Sequence, residues 1–322
     1  MAELTIFYVA DIHGSDVCFR KWLNAAAFYG ADVLIVGGDL TGKVLLPIYP
    51  VVGNGEGWTT TWKDREHRLE TRHEVDELIR LARMEGAYGF VTTHDEIAEI
   101  QSSIAREREV FRRLKTAALE EWLALADERL ASRRVQAYVM PGNDDPAEID
   151  PVLAGSKSIR DVQGAVTELA PGIWMASRGE STPTPWNTPR EVTDDVLGGL
   201  VRDVVTTLPA GGTTIWNLHM PPRETGIDRA PLLDADLRIR YDGAGEATMV
   251  PVGSRSIRDL ISELQPTAAL HGHIHEGRGA VKIGRTLAVN PGSSYEDGIL
   301  QAAIVDLDAK KGEVKRYLLI NG

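Results

Sequence analysis

Short apolar runs alternate with amphipathic stretches over most of this chain of 322 residues. The first forty residues set the pattern, with an apolar run at 5–10, helical spacing at 15–29 and a second apolar run at 32–36. Strand-length runs that alternate with helix-length patterns are typical of α/β proteins. The pattern returns after residue 134 and predicts helices at 193–208 and 254–264 and strands at 135–140, 166–176 (a hairpin), 213–218, 267–270, 280–283, 287–290, 299–306 and 314–320.

The stretch between residues 63 and 134 is more charged than its surroundings and has helical spacing. It predicts one helix at 65–84 and a longer helix at 94–129, with apolar residues three or four positions apart. We therefore predict a single domain over 1–322 that carries a helical hairpin at 63–134 as an insertion. The apolar stripe of this hairpin either packs within the chain, which is the commoner outcome, or forms a homodimer contact or a cap over the active site.

Polar residues of the metal-ligand type follow five of the predicted strands. They are Asp11 with His13, Asp39, Asn143, His219, and His273 with His275. Ligands of open α/β sheets collect at the carboxyl ends of strands, and residues i and i+2 of a strand exit face the same side. Carboxylate, imidazole and amide oxygen together suit Mn, Fe, Co or Zn. Two cations that share a carboxylate would supply a bridging hydroxide for in-line attack on a phosphate.

The order of these motifs resembles the calcineurin-like metallophosphoesterases, in particular their bacterial and archaeal branch of predicted phosphoesterases. The shared motifs are Asp11-x-His13, Gly38-Asp39, Gly142-Asn143-Asp144, His219, Gly272-His273-x-His275 and Asn290-Pro291-Gly292-Ser293. The resemblance covers residues 4 to 320 outside the insertion. It implies a four-layer αββα sandwich of two mixed β-sheets, of the α/β (α+β) class, with the metals at one edge of the sheets.

The resemblance also implies a binuclear metal-dependent phosphoester hydrolase and a role for each matching position. One metal would be held by Asp11, His13 and His275 and the other by Asn143, His219 and His273, and Asp39 would bridge both. Manganese is the first choice for the two divalent ions, with iron, zinc, cobalt or nickel as alternatives. The alternatives in function are a non-catalytic interaction scaffold of the same fold, which would have lost metal ligands, and a nuclease of the superfamily.

One position departs from the family. Asp144 stands where many members carry a histidine that protonates the leaving group, and members without that histidine resemble phosphodiesterases or enzymes for activated phosphomonoesters. Asp144 could act as the acid only if its pKa were raised, which neighbouring cations oppose. His271 is either a substitute acid or a structural residue at the end of a buried strand, and the sequence leaves both open.

Four other residues are candidates for substrate binding. Arg178, Arg223 and Arg278 lie near the motif loops, where a guanidinium could bind phosphate oxygens bidentately; the alternative for each is a bracing ion pair. Trp186 lies in a proline-rich loop and could stack on a base or sugar, or could pack on the body of the protein.

Composition and charge limit the kinds of binding partner and the cellular compartment that we expect for this protein. Lys and Arg number 35 and Asp and Glu 47, so the net charge of −12 disfavours binding to extended nucleic acid. A small phosphorylated substrate remains compatible, because bound cations invert the local field. The single cysteine, Cys18, fits a reducing compartment. The chain shows neither a secretion signal nor a run of roughly 20 apolar residues, so we expect a soluble, cytoplasmic protein without a membrane partner.

Overall fold

The computed structural model describes residues 3–51, 56–308 and 310–322. The strands in these ranges are β1 Glu3–Val9, β2 Val33–Gly37, β3 Val44–Pro50, β4 Trp58–Trp62, β5 Arg65–Leu69, β6 Ala87–Val91, β7 Gln136–Met140, β8 Ile159–Asp161, β9 Val166–Ala170, β10 Ile173–Arg178, β11 Thr213–Leu218, β12 Arg229–Pro231, β13 Met249–Pro251, β14 Ala268–Leu270, β15 Gly279–Ile283, β16 Thr286–Asn290, β17 Gln301–Asp308 and β18 Glu313–Asn321. The helices are α1 Asp16–Tyr29, α2 Arg72–Met84, α3 His94–Ser102, α4 Ile104–Leu130, α5 Asp150–Leu153, α6 Asp194–Val205 and α7 Arg255–Leu264.

Two mixed sheets of six strands each form the body of the protein. The first has the order β18-β17-β1-β2-β7-β8, and the second has the order β15-β16-β14-β11-β10-β9. Four neighbouring strands are parallel in each sheet, β1-β2-β7-β8 and β16-β14-β11-β10. The carboxyl ends of parallel neighbours lie at the same edge, so each sheet has one edge where strand-end loops meet.

The sheets face each other and helices cover their outer faces. Alternate residues such as Ile6 and Ile35 of the first sheet pack against Met175 and Ile215 of the second, because side chains of a strand point to opposite faces in turn. On the outer face of the first sheet, α1 and the second half of α4 form one apolar cluster. On the outer face of the second sheet, α6 and α7 form another. The predicted four-layer sandwich is confirmed.

The insertion differs from its prediction. Residues 65–84 are not one helix: β5 and a short loop precede α2, and β3 to β6 form a separate four-stranded sheet with the order β5-β4-β3-β6. The β4–β5 hairpin turns at Lys63 and Asp64, both with positive φ (51° and 58°), a two-residue turn usually marked by glycine. Thr71 and Glu74 then form a capping box that starts α2.

The predicted helix at 94–129 is two helices. Ser103 is extended (φ −138°, ψ 107°) and separates α3 from α4, whose first turn it caps through its hydroxyl. Trp122, Leu123 and Ala126 of α4 are buried against α1, which confirms that this part of the apolar stripe packs within the chain. None of the helices in the described ranges is long and apolar enough to cross a membrane.

Candidate metal centre

The side chains predicted as metal ligands meet at one edge of the sandwich. Strands β1, β2 and β7 are parallel neighbours in the first sheet, and β11 and β14 are parallel neighbours in the second. Each of the five strands continues at this edge into a loop that carries one or two of the side chains. They are Asp11, His13, Asp39, Asn143, His219, His273 and His275.

The loops after β1 and β2 run side by side and hold an unusual backbone conformation. The N–H groups of Asp11 and His13 donate to the carbonyls of Gly38 and Asp39, at 3.0 and 2.9 Å. Asp11, His13 and Asp39 have φ values of 55°, 38° and 53°, and His273 on the second sheet has 67°. This left-handed region is uncommon for residues other than glycine, and such conformations concentrate at functional sites.

Two motif glycines make room for ligands. A Cβ added at Gly38 would lie 2.2 Å from Nδ1 of His219, and one added at Gly142 would lie 2.2 Å from Oδ1 of Asp39. Any side chain at these positions would displace a ligand. The glycines of the Gly-Asp and Gly-Asn motifs are therefore a steric requirement of the centre.

One group of ligand atoms comes from Asp11, His13 and His275, whose donor atoms lie within 4.8 Å of one another. The Nε2 atoms of His13 and His275 are 3.1 Å apart, and Nε2 of His275 is 3.7 Å from Oδ1 of Asp11. Oδ2 of Asp39 lies 3.6 Å from Nε2 of His13. This group has the composition that the sequence resemblance implies for one metal.

A second group comes from Asp39, His219 and His273, again with donor atoms within 4.8 Å of one another. Nε2 of His219 is 3.4 Å from Oδ2 of Asp39 and 3.0 Å from Oδ1 of Asn143. Asp39 Oδ2 therefore lies close to imidazoles of both groups. Carboxylate, amide oxygen and imidazole meet here, as the resemblance implies for the second metal.

The donor set fits divalent cations. Asp11 and Asp39 are buried, and no Lys or Arg of the described residues lies within 4 Å of either carboxylate. A buried charge is costly unless a counter-charge or a metal compensates it. His219 directs Nδ1 at the Gly37 carbonyl (2.8 Å), so Nε2 faces the other ligands, and such an outer hydrogen bond typically orients a metal-binding histidine.

The pKa values of these groups reflect burial and mutual charge. Burial raises the pKa of Asp11 to about 7, while His219 opposes the rise. Burial lowers the pKa of His219, but Asp39 and Asp11 outweigh it and raise it to about 10. Burial lowers the pKa of His273 to about 3 and that of His275 to about 4. The imidazoles of His273 and His275 are thus neutral at pH 7, the state in which an imidazole binds a metal.

Asp145 braces the centre in a way that the sequence did not reveal. Its buried carboxylate accepts hydrogen bonds from the N–H groups of Leu40, Thr41 and Gly142 at 2.8–2.9 Å, and from the Thr41 hydroxyl at 2.7 Å. It thereby ties the Asp39 loop to the Asn143 loop. Its bond to the Gly142 N–H holds the residue before Asn143, and its bonds to Leu40 and Thr41 hold the residues after Asp39.

We predict that Asp145→Ala lowers the free energy of unfolding by at least about 3 kcal/mol, because it leaves three buried N–H groups without an acceptor. Urea denaturation followed by circular dichroism would measure the change. Asp308→Ala is the matched control: Asp308 accepts from the N–H groups of Lys310 and Lys311 in an exposed turn, where water can replace it. Equal losses in the two variants would contradict the bracing role.

The structure separates the two candidate acids. The Asp144 carboxylate is mostly buried but reaches the surface, with its side chain 14% exposed, and burial raises its pKa to about 6. His271 is fully buried, directs Nδ1 at the carbonyls of Leu218 and Met220, and has a pKa lowered to about 4 by burial. The burial of His271 and its two backbone partners agree with the structural alternative, and its role as a substitute acid stays a prediction.

The three arginines proposed for phosphate binding each have a partner in the protein. Arg178 lies 3.4 Å from Glu180, and Nε of Arg223 lies 3.8 Å from Glu224. Arg278 donates to the Pro291 carbonyl at 2.7 Å, and it lines a cavity of about 500 Å³ beside His275. Arg178 and Arg223 therefore agree with the alternative of a bracing ion pair. Of the three arginines, Arg278 is the one that lines the cavity beside the proposed metal ligand His275.

The proline-rich loop reaches the centre through Thr188. Nδ2 of Asn143 donates to the Thr188 hydroxyl at 2.9 Å, which leaves Oδ1 facing His219. Trp186 of the same loop is 64% exposed, so most of its side chain faces the solvent. Its stacking on a substrate stays a prediction.

Tyr295 is a further neighbour of the ligands that no motif indicated. Its ring lies 4.7 Å from that of His13 and meets that of His275 edge-on at 5.9 Å. Its hydroxyl donates to Glu296. Tyr295 forms part of the wall of the cavity beside His275, and it lies in a loop whose distance from β1 in sequence hid the contact.

Comparison with known proteins bears on the family and the fold. No protein-family profile matches the chain. The uncharacterized protein MJ1162 of Methanocaldococcus jannaschii is 32% identical over 168 residues, which are 51% of this chain and 68% of that protein. The crystal structure of TT1561 of Thermus thermophilus covers 99% of this chain and 98% of its own, with a TM-score of 0.53 at 14% identity. A phosphatase of Mycoplasma pneumoniae covers 100% of this chain and 94% of its own, with a TM-score of 0.44 at 12% identity.

The relationship to MJ1162 is close enough to assign the family, whereas TT1561 shows the fold. The two six-stranded sheets, the helices outside them and the order of the strand-end motifs agree with the resemblance found in the sequence. The chain belongs to the same family as MJ1162, and it shares the fold of TT1561.

Proposed function

We propose that this protein is a binuclear metal-dependent phosphoester hydrolase. Asp11, His13 and His275 would hold one divalent cation, and Asn143, His219 and His273 would hold the other. Asp39 would bridge the two. Manganese is the first choice of metal, with iron, zinc, cobalt or nickel as alternatives.

The observation that carries the proposal is the convergence of two buried carboxylates, four imidazoles and the Asn143 amide from five strand ends. The donor atoms form two groups, each within 4.8 Å, and Asp39 Oδ2 lies near imidazoles of both. Burying these groups together is costly unless a ligand compensates their charge and polarity. The positive φ values of Asp11, His13, Asp39 and His273 support the same conclusion, since such backbone conformations persist at functional sites.

When bound, divalent cations polarise a phosphoryl oxygen and lower the pKa of water, so that hydroxide is available near neutral pH. The protein's own residues fix the geometry for that chemistry. Gly37 orients His219 through Nδ1, and Thr188 orients Asn143 through Nδ2. The Tyr295 ring packs against the His13 ring, with their centroids 4.7 Å apart.

The substrate side of the proposal rests on Asp144. An aspartate at this position cannot readily donate a proton beside two cations, because they lower its pKa. A phosphodiester or an activated phosphomonoester of small size therefore suits the site better than an unactivated monoester. The single cysteine supports a cytoplasmic location as part of the proposal, and a homodimer through the insertion stays a proposal of its own.

Hydrolysis of bis(p-nitrophenyl) phosphate with added Mn²⁺, with and without a chelator, tests the function. We expect turnover that the chelator abolishes and that Mn²⁺ restores, together with a rise in the melting temperature on adding Mn²⁺, because a ligand that binds only the folded state stabilises it. Absence of metal-dependent turnover on this diester and on p-nitrophenyl phosphate would favour the scaffold alternative.

A further inference from the structure

Lys43 directly precedes β3, and the backbone before it is anchored beside the candidate metal centre. The N–H groups of Thr41 and Gly42 donate to Asp145 and to the Tyr88 hydroxyl, at 2.8 and 2.9 Å. A Cβ added at Gly42 would lie 2.0 Å from the Gly86 carbonyl oxygen, so the chain is held tightly just before Lys43. The flexible side chain of Lys43 thus starts from a fixed point.

The ammonium of Lys43 reaches the centre from the solvent side. Nζ lies 3.2 Å from Oδ2 of Asp144, and the same oxygen lies 3.8 Å from Nδ1 of His13. The N–H of Asp144 donates to Oδ1 of Asp39 at 3.0 Å, which ties the position of the pair to the proposed bridging ligand. The Lys43 side chain is 46% exposed, against 14% for Asp144, so the cation covers the carboxylate and faces the solvent.

A second lysine, which belongs to the insertion, lies behind Asp144. Lys115 of α4 is 7% exposed, and its Nζ donates to the backbone carbonyl of Asp144 at 3.3 Å. No carboxylate of the described residues lies within 4 Å of this ammonium, so the more distant charges of Asp144, Asp145 and Asp39 must compensate it. A lysine therefore lies on each side of Asp144, Lys43 towards the solvent and Lys115 towards the interior.

We propose that Lys43 is the substrate-contacting cation of this centre, and that it binds a non-bridging oxygen of the phosphoryl group. The inference rests on the proposed function. Lys115 is a positioning residue that fixes Asp144 from the buried side. Asp144 stands where many members of the family that the sequence resembles carry a histidine. In this proposal Asp144 does not contact the substrate but orients Lys43.

Two features favour Lys43 over the other basic candidates. Its only ion-pair partner within 4 Å among the described residues is Asp144, which stands beside the ligands themselves, whereas Arg178 and Arg223 pair with Glu180 and Glu224 outside the ligand groups. Its position is the second feature: the Asp144 oxygen that Lys43 Nζ approaches to 3.2 Å lies 3.8 Å from Nδ1 of His13. A phosphate bound at the centre would meet this ammonium and could share it with Asp144.

A double-mutant cycle with inorganic phosphate as the probe tests this contact. The dissociation constant of phosphate would be measured by calorimetry on the Mn²⁺-loaded protein for the wild type, Lys43→Met, Asp144→Asn and the double variant. We expect Lys43→Met to weaken phosphate binding by about tenfold to a hundredfold, the usual loss for a charged hydrogen bond. The double variant should bind phosphate more weakly than Asp144→Asn by the same factor.

A lysine that only neutralises Asp144 would behave differently. The double variant would then bind phosphate as tightly as Asp144→Asn, and this result would overturn the proposal. Lys43→Arg should recover part of the affinity, and Lys311→Met, in the exposed β17–β18 turn away from the centre, should leave it unchanged.

Mn²⁺ affinity provides a readout that separates a lost contact from a damaged site. Removing a positive charge near the cations should strengthen Mn²⁺ binding in Lys43→Met while phosphate binding weakens. Weaker binding of both would indicate a distorted centre and contradict the proposal. Failure of the wild type to bind Mn²⁺ would instead refute the proposed function, so the two failures are distinguishable.

Discussion

Asp39→Asn should abolish hydrolysis while the fold stays intact. Asp39 is the carboxylate whose Oδ2 lies 3.6 Å from His13 and 3.4 Å from His219, so its neutralisation affects both proposed metals. Changes in residues that only support a ligand typically cost ten- to a hundredfold, and a shared ligand should cost at least about a hundredfold in kcat/KM. Turnover of bis(p-nitrophenyl) phosphate and the bound metal, by elemental analysis, would be measured together.

Asp306→Asn is the matched control for this variant. Asp306 is also nearly buried and hydrogen-bonded, to Thr5 and Arg316, but it lies on β17 away from the strand ends that carry the ligands. We expect it to keep its metal and its activity. Near-normal turnover in Asp39→Asn would mean that the bridging assignment is wrong.

The rate of hydrolysis should fall steeply as the pKa of the leaving group rises. A positioned acid contributes about a hundredfold to ten-thousandfold. Under the proposed function, the cations would keep Asp144 ionised, and His271 is buried away from the solvent. Esters of poor leaving groups should therefore react more slowly by a factor of that order. A series of phosphodiesters from p-nitrophenyl to alkyl leaving groups, compared in kcat/KM, would measure the slope.

Asp144→His provides the comparison variant for the leaving-group series. A histidine at this position could donate a proton, so we expect a flatter dependence, with the gain confined to poor leaving groups. Asp144→Asn removes the charge without adding an acid and should retain the steep slope. A flat dependence in the wild-type protein would reveal an acid outside Asp144 and His271.

The sandwich and the meeting of the ligand loops could be predicted because each rests on a local pattern. Buried parallel strands such as Val33–Gly37 appear as apolar runs, and a polar loop follows each one. Once the strands are parallel neighbours, their carboxyl ends lie at one edge, whatever their separation along the chain. The positions of Asp11 and His275 therefore followed from strand ends and the resemblance.

The insertion could not be predicted in the same way, because its sheet lies on the surface. Strand β5, Arg-Glu-His-Arg-Leu, has one buried residue and four with charged or polar side chains, and such a segment resembles an exposed helix in sequence. The turn at Lys63 and Asp64 lacks the glycine that normally marks a hairpin. The capping box at Thr71 and Glu74 was the signal that could have placed the start of α2.

The contacts that orient the ligands also lay beyond prediction from the sequence. Thr188 reaches Asn143 from a loop 45 positions away, and Lys115 reaches Asp144 from the middle of a helix. Neither residue belongs to a motif. Whether each one reaches its partner depends on how the loop and the insertion pack against the body of the protein. Only the folded arrangement reveals such partners.

The left-handed backbone conformations of Asp11, His13, Asp39 and His273 imply that the centre lowers the stability of the folded protein. Conformations of this kind cost roughly 1–3 kcal/mol each for residues other than glycine, a cost that glycine does not incur. Replacing any of the four by glycine would relieve that strain, and replacing Asp11 or Asp39 would also remove the repulsion between the two buried carboxylates. Laboratory evolution for heat resistance alone would therefore tend to erase the ligands first, and only simultaneous selection for turnover would preserve them.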